Sequence, residues 1–259
     1  MNIAIIQARN GSTRFPGKTS ARVEGKTVLE HVIERVASAH TLDDIFVATT
    51  INSEDLPLVK ICAARGVRVF CGSSTDVLDR FYQLAKLIKP AHVVRITADC
   101  PLMDYNVIDS TVKIHLRSGA DYTSNTVPPT FPDGLDVEVF KLCALEKAWK
   151  EAKLLSEREH VTPYIRNNPA VFSHAEYHNR KNLSALRWTL DEKQDLAFIR
   201  AVYTELYPNN PVFGMPDVLA LLKRKPSLES INSGIIRNAG LLKSVAEDKV
   251  VDPGDTGNG

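Results

Sequence analysis

The feature that most constrains the fold is a regular alternation of short apolar runs with amphipathic helical patterns in the first half of the chain. The apolar runs are too short for helices and are bounded by polar residues, which is typical of buried strands. Strands are predicted at 2–6, 45–50, 67–71, 92–96 and 121–123, with helices at 28–36, 54–65, 77–88 and 104–117. This repeated order predicts a three-layer α/β/α fold, in which helices cover both faces of a mainly parallel sheet.

The pattern changes after Asn125. A proline-rich loop over 127–134 is followed by an alternating segment, 135–139, which predicts a strand with an acidic face. Further predictions are helices at 141–152 and 156–167, a strand at 171–177, a short return strand at 188–190, a helix opened by Asp191, and a helix at 215–224. We interpret 126–186 as a lobe inserted in a single domain, 1–246, and predict a disordered tail over 247–259.

Composition narrows the class of protein. The chain has 259 residues, of which 44% are hydrophobic and 24% charged, as in an ordinary globular protein. A formal charge of +1 gives no broad basic surface for nucleic acid. The four cysteines form no C-x-x-C pair, which argues against a structural zinc site or a disulfide framework. Since no leader or membrane span is evident, we expect a cytoplasmic protein with no membrane partner.

A cationic loop, 7–18, follows the first predicted strand directly. Its glycines, Gly11 and Gly17, allow close approach of a ligand to the backbone, and Arg9, Arg14 and Lys18 supply three positive charges. A polyanion such as a nucleoside triphosphate would fit there. Ligands of parallel sheets bind at the carboxyl ends of the strands. The loop and Asp99, which follows the strand at 92–96, can therefore share one site.

Other interpretations of this loop are open. A Walker A loop needs four residues between its first glycine and the Gly-Lys-Ser/Thr end, whereas five separate Gly11 from Gly17, and no helical pattern follows at once. The next clear helix begins at a capping box formed by Thr27 and Glu30. A dinucleotide fingerprint, Gly-x-Gly-x-x-Gly, is absent. The loop could also be a surface turn with solvated arginines.

Several separate motifs, in a fixed order, resemble the cytidylyltransferases that activate acidic sugars. That family makes CMP-linked sialic acids and CMP-linked 3-deoxy-octulosonate, and the nearest branch is the spore-coat polysaccharide SpsF type. The resemblance extends to about residue 246. It is carried by 6–18, 72–80, 95–101, 132–139, 156–164 and 187–191. Phe15 stands where leucine is usual, Ala98 where glycine is usual, and Glu192-Lys193 where Thr-Pro is common. These departures concern substrate fit more than chemistry.

The resemblance implies a Rossmann-like fold of the nucleotide-diphospho-sugar transferase type and a nucleotidyltransferase reaction for surface glycan biosynthesis. An acceptor oxygen would attack the α-phosphorus of CTP, and pyrophosphate would leave. It implies Mg²⁺, with Mn²⁺ as an alternative, on Asp99 and Asp191. The acceptor would be an acidic or phosphorylated sugar-like molecule, and the enzyme a homodimer formed through 126–186.

The same resemblance implies roles for individual side chains. Arg14 and Lys18 would be catalytic. Nucleotide contacts would come from Ala8, Arg9, Gly11, Ser12, Arg14, Lys18, Gly72, Ser73, Arg80 and Arg95, and acceptor contacts from Asn125, Asp133, Asp136, Glu138, Arg158 and His160.

Several of these residues have structural alternatives that the sequence leaves open. Asp191 could be a helix N-cap with Gln194, and Asp99 an ordinary turn residue before Cys100-Pro101. Ser156 and Glu159 match a capping box beside His160, which could simply pack at a helix surface. Asp133, Asp136 and Glu138 could form a solvated strand face.

Other functions are open as well. They are a sugar-1-phosphate nucleotidylyltransferase using another triphosphate, a metal-dependent glycosyltransferase, and a non-catalytic nucleotide-binding protein.

Overall fold

The computed structural model describes residues 1–251, which form a mainly parallel seven-stranded sheet in the order β5-β4-β1-β6-β8-β7-β9. The pairing of β8 with both of its neighbours is antiparallel, and the other pairings in this sheet are parallel. Strands β2 and β3 form a separate small hairpin. The strands are β1 Asn2–Gln7, β2 Arg22–Val23, β3 Lys26–Thr27, β4 Asp44–Thr50, β5 Arg68–Gly72, β6 His92–Thr97, β7 Tyr122–Ser124, β8 Glu138–Lys141 and β9 His174–Glu176.

Helices connect and cover these strands. The first begins where the sequence predicts, because the Thr27 hydroxyl accepts the Glu30 N–H and the Glu30 carboxylate accepts the Thr27 N–H. The α-helices are α1 Val28–Ala37, α2 Leu56–Ala64, α3 Val77–Ile88, α4 Tyr105–Ser118, α5 Leu142–Glu151, α6 Leu155–His160, α7 Pro163–Asn167, α8 Lys193–Leu206, α9 Met215–Arg224 and α10 Ala239–Ala246. Short 3₁₀ turns lie at Lys18–Ser20, Ser53–Asp55 and Pro226–Ile231.

The sheet is buried on both faces. Successive side chains of β1 alternate between two cores, because a strand points its side chains to opposite faces. Ile5 packs in the core that contains Phe81 of α3, and Ile6 packs in the core that contains Val32 of α1. The predicted three-layer α/β/α arrangement is therefore confirmed.

The stretch 126–186 contributes two strands to the main sheet. Strand β8 lies between β6 and β7, and β9 forms one edge. This stretch is therefore integrated with the sheet. Phe131 of the loop 127–134 is buried in the core that contains Val32, and α5 and α7 contribute side chains to the core that contains Phe81. The domain division remains a prediction.

The strand predicted at 135–139 is shifted, and the one predicted at 188–190 is wrong. Strand β8 begins at Glu138 rather than at Leu135, because the Val137 N–H donates to the Asn125 side chain. No strand forms at 188–190. The Trp188 N–H donates to Asp133 O at 2.6 Å and the Leu190 N–H to Asp99 O at 2.8 Å, so this segment bonds to two different loops and makes no ladder.

The helix predicted at 156–167 is two short helices. Val161 has φ of 72°, which a β-branched residue rarely adopts, and Pro163 starts α7. The Ser156–Glu159 capping box is also wrong. The Glu157 carboxylate instead accepts the N–H groups of Lys153 and Leu154, both at 3.0 Å. The strand predicted at 171–177 is limited to β9.

The described part of the predicted tail, 247–251, contacts the start of α6. Asp248 accepts hydrogen bonds from both the N–H and the hydroxyl of Ser156, and Lys249 O accepts the N–H of Leu155 at 2.9 Å. Backbone pairing therefore fixes 248–251 beside the start of α6. The remaining part of the predicted tail, 252–259, lies outside the described residues.

Candidate functional site

The cationic loop and Asp99 emerge side by side from adjacent strands. Strands β1 and β6 pair in parallel, with Gln7 opposite Thr97, so their carboxyl ends lie together. Ala8 N donates to Ala48 O at 3.0 Å, and Ala98 N donates to Gln7 O at 2.9 Å. The buried sheet thus continues one residue into each functional loop.

The loop is held closed by its own backbone. Asn10 O accepts the N–H groups of Ser12 and Gly17 at 2.8 and 2.9 Å. Gly17 has φ of 73°, a left-handed conformation that favours glycine. A single 3₁₀ turn then replaces the α-helix that a Walker A loop requires. The folded geometry therefore agrees with the failed spacing in the sequence.

Lys18 connects three distant parts of the chain. Its Nζ lies 2.7 Å from Asp99 Oδ2 and 2.7 Å from Asp191 Oδ1, and only 11% of its side chain is exposed. Burial by itself would lower the pKa of Lys18, but attraction to the two carboxylates outweighs burial and raises it. Burial raises the pKa of Asp99, yet Lys18 and Thr97 lower it to about 2. Both partners are therefore charged at neutral pH.

The two carboxylates fit a hard divalent cation. They converge on one positively charged atom, the Lys18 nitrogen, from two separate loops. Mg²⁺ is commonly held by one or two carboxylates together with substrate phosphates and water. Within residues 1–251, no group of three or more histidine, cysteine, aspartate or glutamate side chains is placed to hold a metal ion. Asp99 and Asp191 could thus hold Mg²⁺ only with oxygens from a substrate or water.

Two arginines of the cationic loop, Arg9 and Arg14, are partly exposed to solvent. Arg14 lies 3.1 Å from Asp191 and 3.6 Å from Glu192, and its side chain is 36% exposed. Arg9 is more exposed, and its closest acidic group is Glu159 at 3.9 Å. Weakly paired, partly exposed guanidinium groups are available to phosphate oxygens.

A buried arginine and a buried aspartate, Arg187 and Asp195, both form hydrogen bonds with Asp191. Arg187 Nε lies 2.9 Å from Asp195 Oδ1, and Arg187 Nη2 lies 3.0 Å from Asp195 Oδ2 and 3.3 Å from Asp191 Oδ2. Arg187 Nη1 also reaches Asp133 Oδ2 at 3.1 Å. One guanidinium therefore joins the predicted metal carboxylate to a residue predicted to meet the acceptor.

Asp195 also fixes the backbone at Asp191. Its Oδ2 accepts the N–H of Asp191 at 2.9 Å and of Glu192 at 2.8 Å, while Asn232 donates to Oδ1 at 2.9 Å. Burial would raise the pKa of Asp195, but Arg187 and these donors lower it. The helix N-cap is Glu192, so the N-cap alternative for Asp191 is wrong. Asp195 was not among the site residues predicted from the sequence, although its spacing of three from Glu192 matches a capping pattern.

At the carboxyl end of β5, Arg80 is fully buried. Its Nε and Nη2 donate to Ser73 O at 2.9 and 2.6 Å, and Nη1 has no hydrogen-bond partner among the described residues. Burial, reinforced by the positive charge of Arg9, lowers the pKa of Arg80 to about 10. A Cβ on Gly72 would lie 3.0 Å from Arg80 Cγ and 2.9 Å from Phe70 Cε1. The absence of a side chain at Gly72 therefore leaves room for the Arg80 side chain.

Arg95 and Glu138 form an ion pair across β6 and β8. Arg95 Nη1 lies 2.6 Å from Glu138 Oε2, and Nη2 donates to Gln7 at 3.2 Å. Glu138 also accepts hydrogen bonds from the hydroxyls of Tyr122 and Thr162. Because Glu138 is 5% exposed, the solvated-face alternative is wrong for this residue.

Asp136 and Asp133 lie beside this pair. Asp136 Oδ1 accepts from Arg237 Nη2 at 2.7 Å, while Asp133 lies between Arg187 and Arg237. Burial raises the pKa of Asp136 to about 7, because Arg237 only partly offsets burial and the charges of Asp133 and Glu138. The pKa of Asp133 is also raised, and burial is the largest cause. Both carboxylates are therefore close to cations, but Asp133 is buried whereas the Asp136 side chain is 30% exposed.

The remaining predicted acceptor residues have internal partners. Asn125 donates to Leu135 O at 2.7 Å, which shapes the loop before β8. Arg158 is 3% exposed and bonds to Asp76 and to Trp149 O. His160 contacts the Ser244 hydroxyl at 3.1 Å, and burial lowers its pKa to about 4. Their roles towards an acceptor remain predictions.

Comparison with known proteins agrees with this geometry. Residues 3–213 match the model of the cytidylyltransferase family. The chain is 40% identical to an uncharacterised protein of Methanocaldococcus jannaschii over 90% of this chain and 95% of that one. It is 32% identical to the spore coat polysaccharide biosynthesis protein SpsF of Bacillus subtilis over 86% of this chain and 94% of that one.

Solved structures show the same fold. A cytidylyltransferase from Leptospira borgpetersenii superposes with a TM-score of 0.85 at 32% identity, over 91% of this chain and 98% of that one. The CTP complex of CMP:2-keto-3-deoxy-manno-octonic acid synthetase superposes with a TM-score of 0.61 at 14% identity, over 79% of this chain and 98% of that one. The second likeness supports the fold alone. The cationic loop, the carboxylate pair and these matches together show that the chain belongs to the cytidylyltransferase family.

Proposed function

We propose that this protein transfers CMP from CTP to an acidic or phosphorylated sugar-like acceptor, releases pyrophosphate and depends on Mg²⁺. Membership of the family makes it a nucleotidyltransferase. The observation that carries the proposal is the meeting of Lys18, Asp99 and Asp191, with Nζ 2.7 Å from each carboxylate. A cationic loop that faces two carboxylates is suited to a triphosphate bound with a divalent metal.

The chain's own residues would bind and orient the nucleotide. Arg9, Arg14 and Lys18 would neutralise the phosphates, while Asp99 and Asp191 would hold the metal. When bound, Mg²⁺ would neutralise phosphate charge and stabilise the transition state. An acceptor oxygen would form the new bond to the α-phosphorus as the bond to the bridging oxygen breaks and pyrophosphate leaves. Positioned cations would stabilise the leaving charge.

The acceptor is proposed from the site and the relatives together. The name of one relative links it to spore coat polysaccharide biosynthesis. Another, 33% identical over 49% of this chain and 53% of its own length, is the 8-amino-3,8-dideoxy-manno-octulosonate cytidylyltransferase of Shewanella pealeana. We infer that the acceptor here is a related sugar acid for surface glycan biosynthesis, bound near Arg95 and Arg237.

A pyrophosphate-release assay tests this function. The purified protein would be incubated with Mg²⁺, one of CTP, UTP, GTP and dTTP, and each of a panel of octulosonates, nonulosonates, sugar phosphates and phosphonates. We expect release with CTP and one acceptor class, and loss of release in Asp99→Ala and Asp191→Ala. Preference for another triphosphate with a sugar 1-phosphate would contradict the CTP assignment. Turnover of a preformed nucleotide sugar would indicate a glycosyltransferase, and CTP binding without turnover a binding protein.

We also propose a cytoplasmic homodimer formed through 126–186. Of the helices in residues 1–251, none has the length and apolar composition needed to cross a bilayer. Light scattering at micromolar concentration tests the dimer, and a monomeric mass would contradict it. A dimer that persists when exposed Val171, in the proposed interface, is changed to Glu would place the contact elsewhere.

A further inference from the structure

We propose that Lys18 acts as a built-in counterion that must leave Asp99 and Asp191 before a divalent metal can bind, so that metal enters only together with the nucleotide. This inference rests on the proposed function. It starts from the position of one atom, since Lys18 Nζ lies 2.7 Å from Asp99 Oδ2 and 2.7 Å from Asp191 Oδ1. A cation of the chain itself therefore lies where the two carboxylates converge.

The ammonium and a metal ion cannot share this place. Mg²⁺ binds carboxylate oxygen at about 2.0–2.1 Å, so a metal bound to either oxygen would lie less than about 5 Å from Nζ. Two cations at that distance repel strongly in a partly buried site. With 11% of the Lys18 side chain exposed, solvent screens the repulsion only weakly. Metal binding therefore requires Lys18 to move.

Other cations near Asp191 are not equivalent to Lys18. Arg187 lies 3.3 Å from Asp191, but it is held by Asp195 and Asp133 and is 8% exposed. Arg14 contacts Asp191 at 3.1 Å and is 36% exposed. Among the described residues, only Lys18 pairs with both carboxylates. Its departure would remove the cation that bridges the two carboxylates.

A bound triphosphate would offer Lys18 alternative partners for its ammonium group. Lysine is a compact charge on a flexible four-carbon stem, so it can exchange partners without movement of the backbone. Lys18 belongs to the same loop as Arg9 and Arg14, and phosphate oxygens bound there would accept its N–H groups. Transfer of the ammonium from carboxylates to phosphates would leave Asp99 and Asp191 for the metal. Nucleotide binding would in this way increase the affinity for metal.

Manganese binding without nucleotide tests the exchange. Free Mn²⁺ would be titrated by electron paramagnetic resonance against the wild type, Lys18→Gln and Lys18→Met, each checked for folding by circular dichroism. We expect both variants to bind Mn²⁺ about tenfold or more tightly than the wild type. Adding Asp99→Asn to Lys18→Gln should abolish the gain, because it removes one of the ligands.

A matched control is Lys26→Gln, which removes a lysine whose Nζ lies 2.7 Å from Glu34 outside this site. It should bind Mn²⁺ as the wild type does. Equal or weaker Mn²⁺ binding in both Lys18 variants than in the wild type would overturn the inference. Pyrophosphate release separates this failure from failure of the function. If the wild type releases pyrophosphate from CTP while the Lys18 variants gain no Mn²⁺ affinity, only the counterion role is wrong.

Discussion

Arg187 and Asp195 form a two-point ion pair inside the protein, with Nε 2.9 Å from Oδ1 and Nη2 3.0 Å from Oδ2. Asp195 is fully buried and accepts the N–H of Asp191, while Arg187 donates to the Asp191 carboxylate. The pair therefore sets the position of a predicted metal ligand. Residues that orient metal ligands in this way commonly affect metal affinity almost as much as the ligands do.

Asp195→Asn should lower kcat/KM for CTP-dependent pyrophosphate release by about 10–100-fold. The asparagine NH₂ group would face the N–H groups of Asp191 and Glu192, or the Arg187 guanidinium, in place of a carboxylate oxygen. Steady-state kinetics with Mn²⁺ titration would measure the loss. If Asp195 acts through Asp191, Asp195→Asn should cause no further loss in an Asp191→Asn background. Fully additive losses would show an independent effect.

Gly134→Ala should destabilise the protein by roughly 2–4 kcal/mol and reduce activity. Gly134 has φ of 106°, and a Cβ there would lie 2.6 Å from Thr189 N and 2.7 Å from Trp188 C. Relief of this clash would displace the segment that leads to Asp191. Gly25→Ala is the control, because Gly25 has φ of 80° with nothing within 4 Å of a Cβ. It should cost about 1–2 kcal/mol in urea unfolding and leave activity unchanged.

Arg158→Lys should lower stability by about 1–3 kcal/mol while leaving KM for the acceptor unchanged. The guanidinium bonds to Asp76, which caps α3, and to Trp149 O, and lysine cannot make all of these contacts. Thermal unfolding and acceptor kinetics would separate the two effects. Arg117→Lys, at an exposed position of α4, is the control for the substitution itself. A large rise in KM without loss of stability would favour the acceptor role predicted from the sequence.

Stability should decrease in mild acid because of His115. Burial, together with the neighbouring His92, lowers the pKa of His115 to about 4. The unfolded chain would take up a proton near pH 6.5, whereas the folded protein would resist it until about pH 4. The free energy of unfolding should therefore decrease as pH falls from about 6.5 to about 4, by at most about 1.4 kcal/mol per pH unit from this group.

Urea unfolding at intervals between pH 4 and pH 8 measures this dependence, and His115→Gln should make it shallower. Above pH 7 the two curves should run parallel, because His115 is neutral in both states there. An unchanged slope in the variant would rule out His115 as the source. Loss of its contact with the Thr123 hydroxyl, at 2.9 Å, should add a decrease in stability that is the same at every pH.

Most of the order of strands and helices could be predicted from the sequence because it depends on local patterns. The apolar run 2–6 predicts strand β1, and the Thr27–Glu30 capping box predicts the start of α1. Once the sheet is parallel, the residues that follow β1 and β6 must emerge at the same edge. The meeting of the cationic loop with Asp99 could therefore be predicted without coordinates.

Tertiary structure alone decided the rest. Periodicity carries no information about residues 173 positions apart, which is the separation of Lys18 from Asp191. The insertion of β8 between β6 and β7 likewise depends on long-range pairing. Asp195 looks like a helix-capping residue until the fold places Arg187 and Asn232 against it. The sequence by itself thus determined which charges the site contains, and the packing of distant segments determined which of them pair, because electrostatic partners are selected by proximity in space.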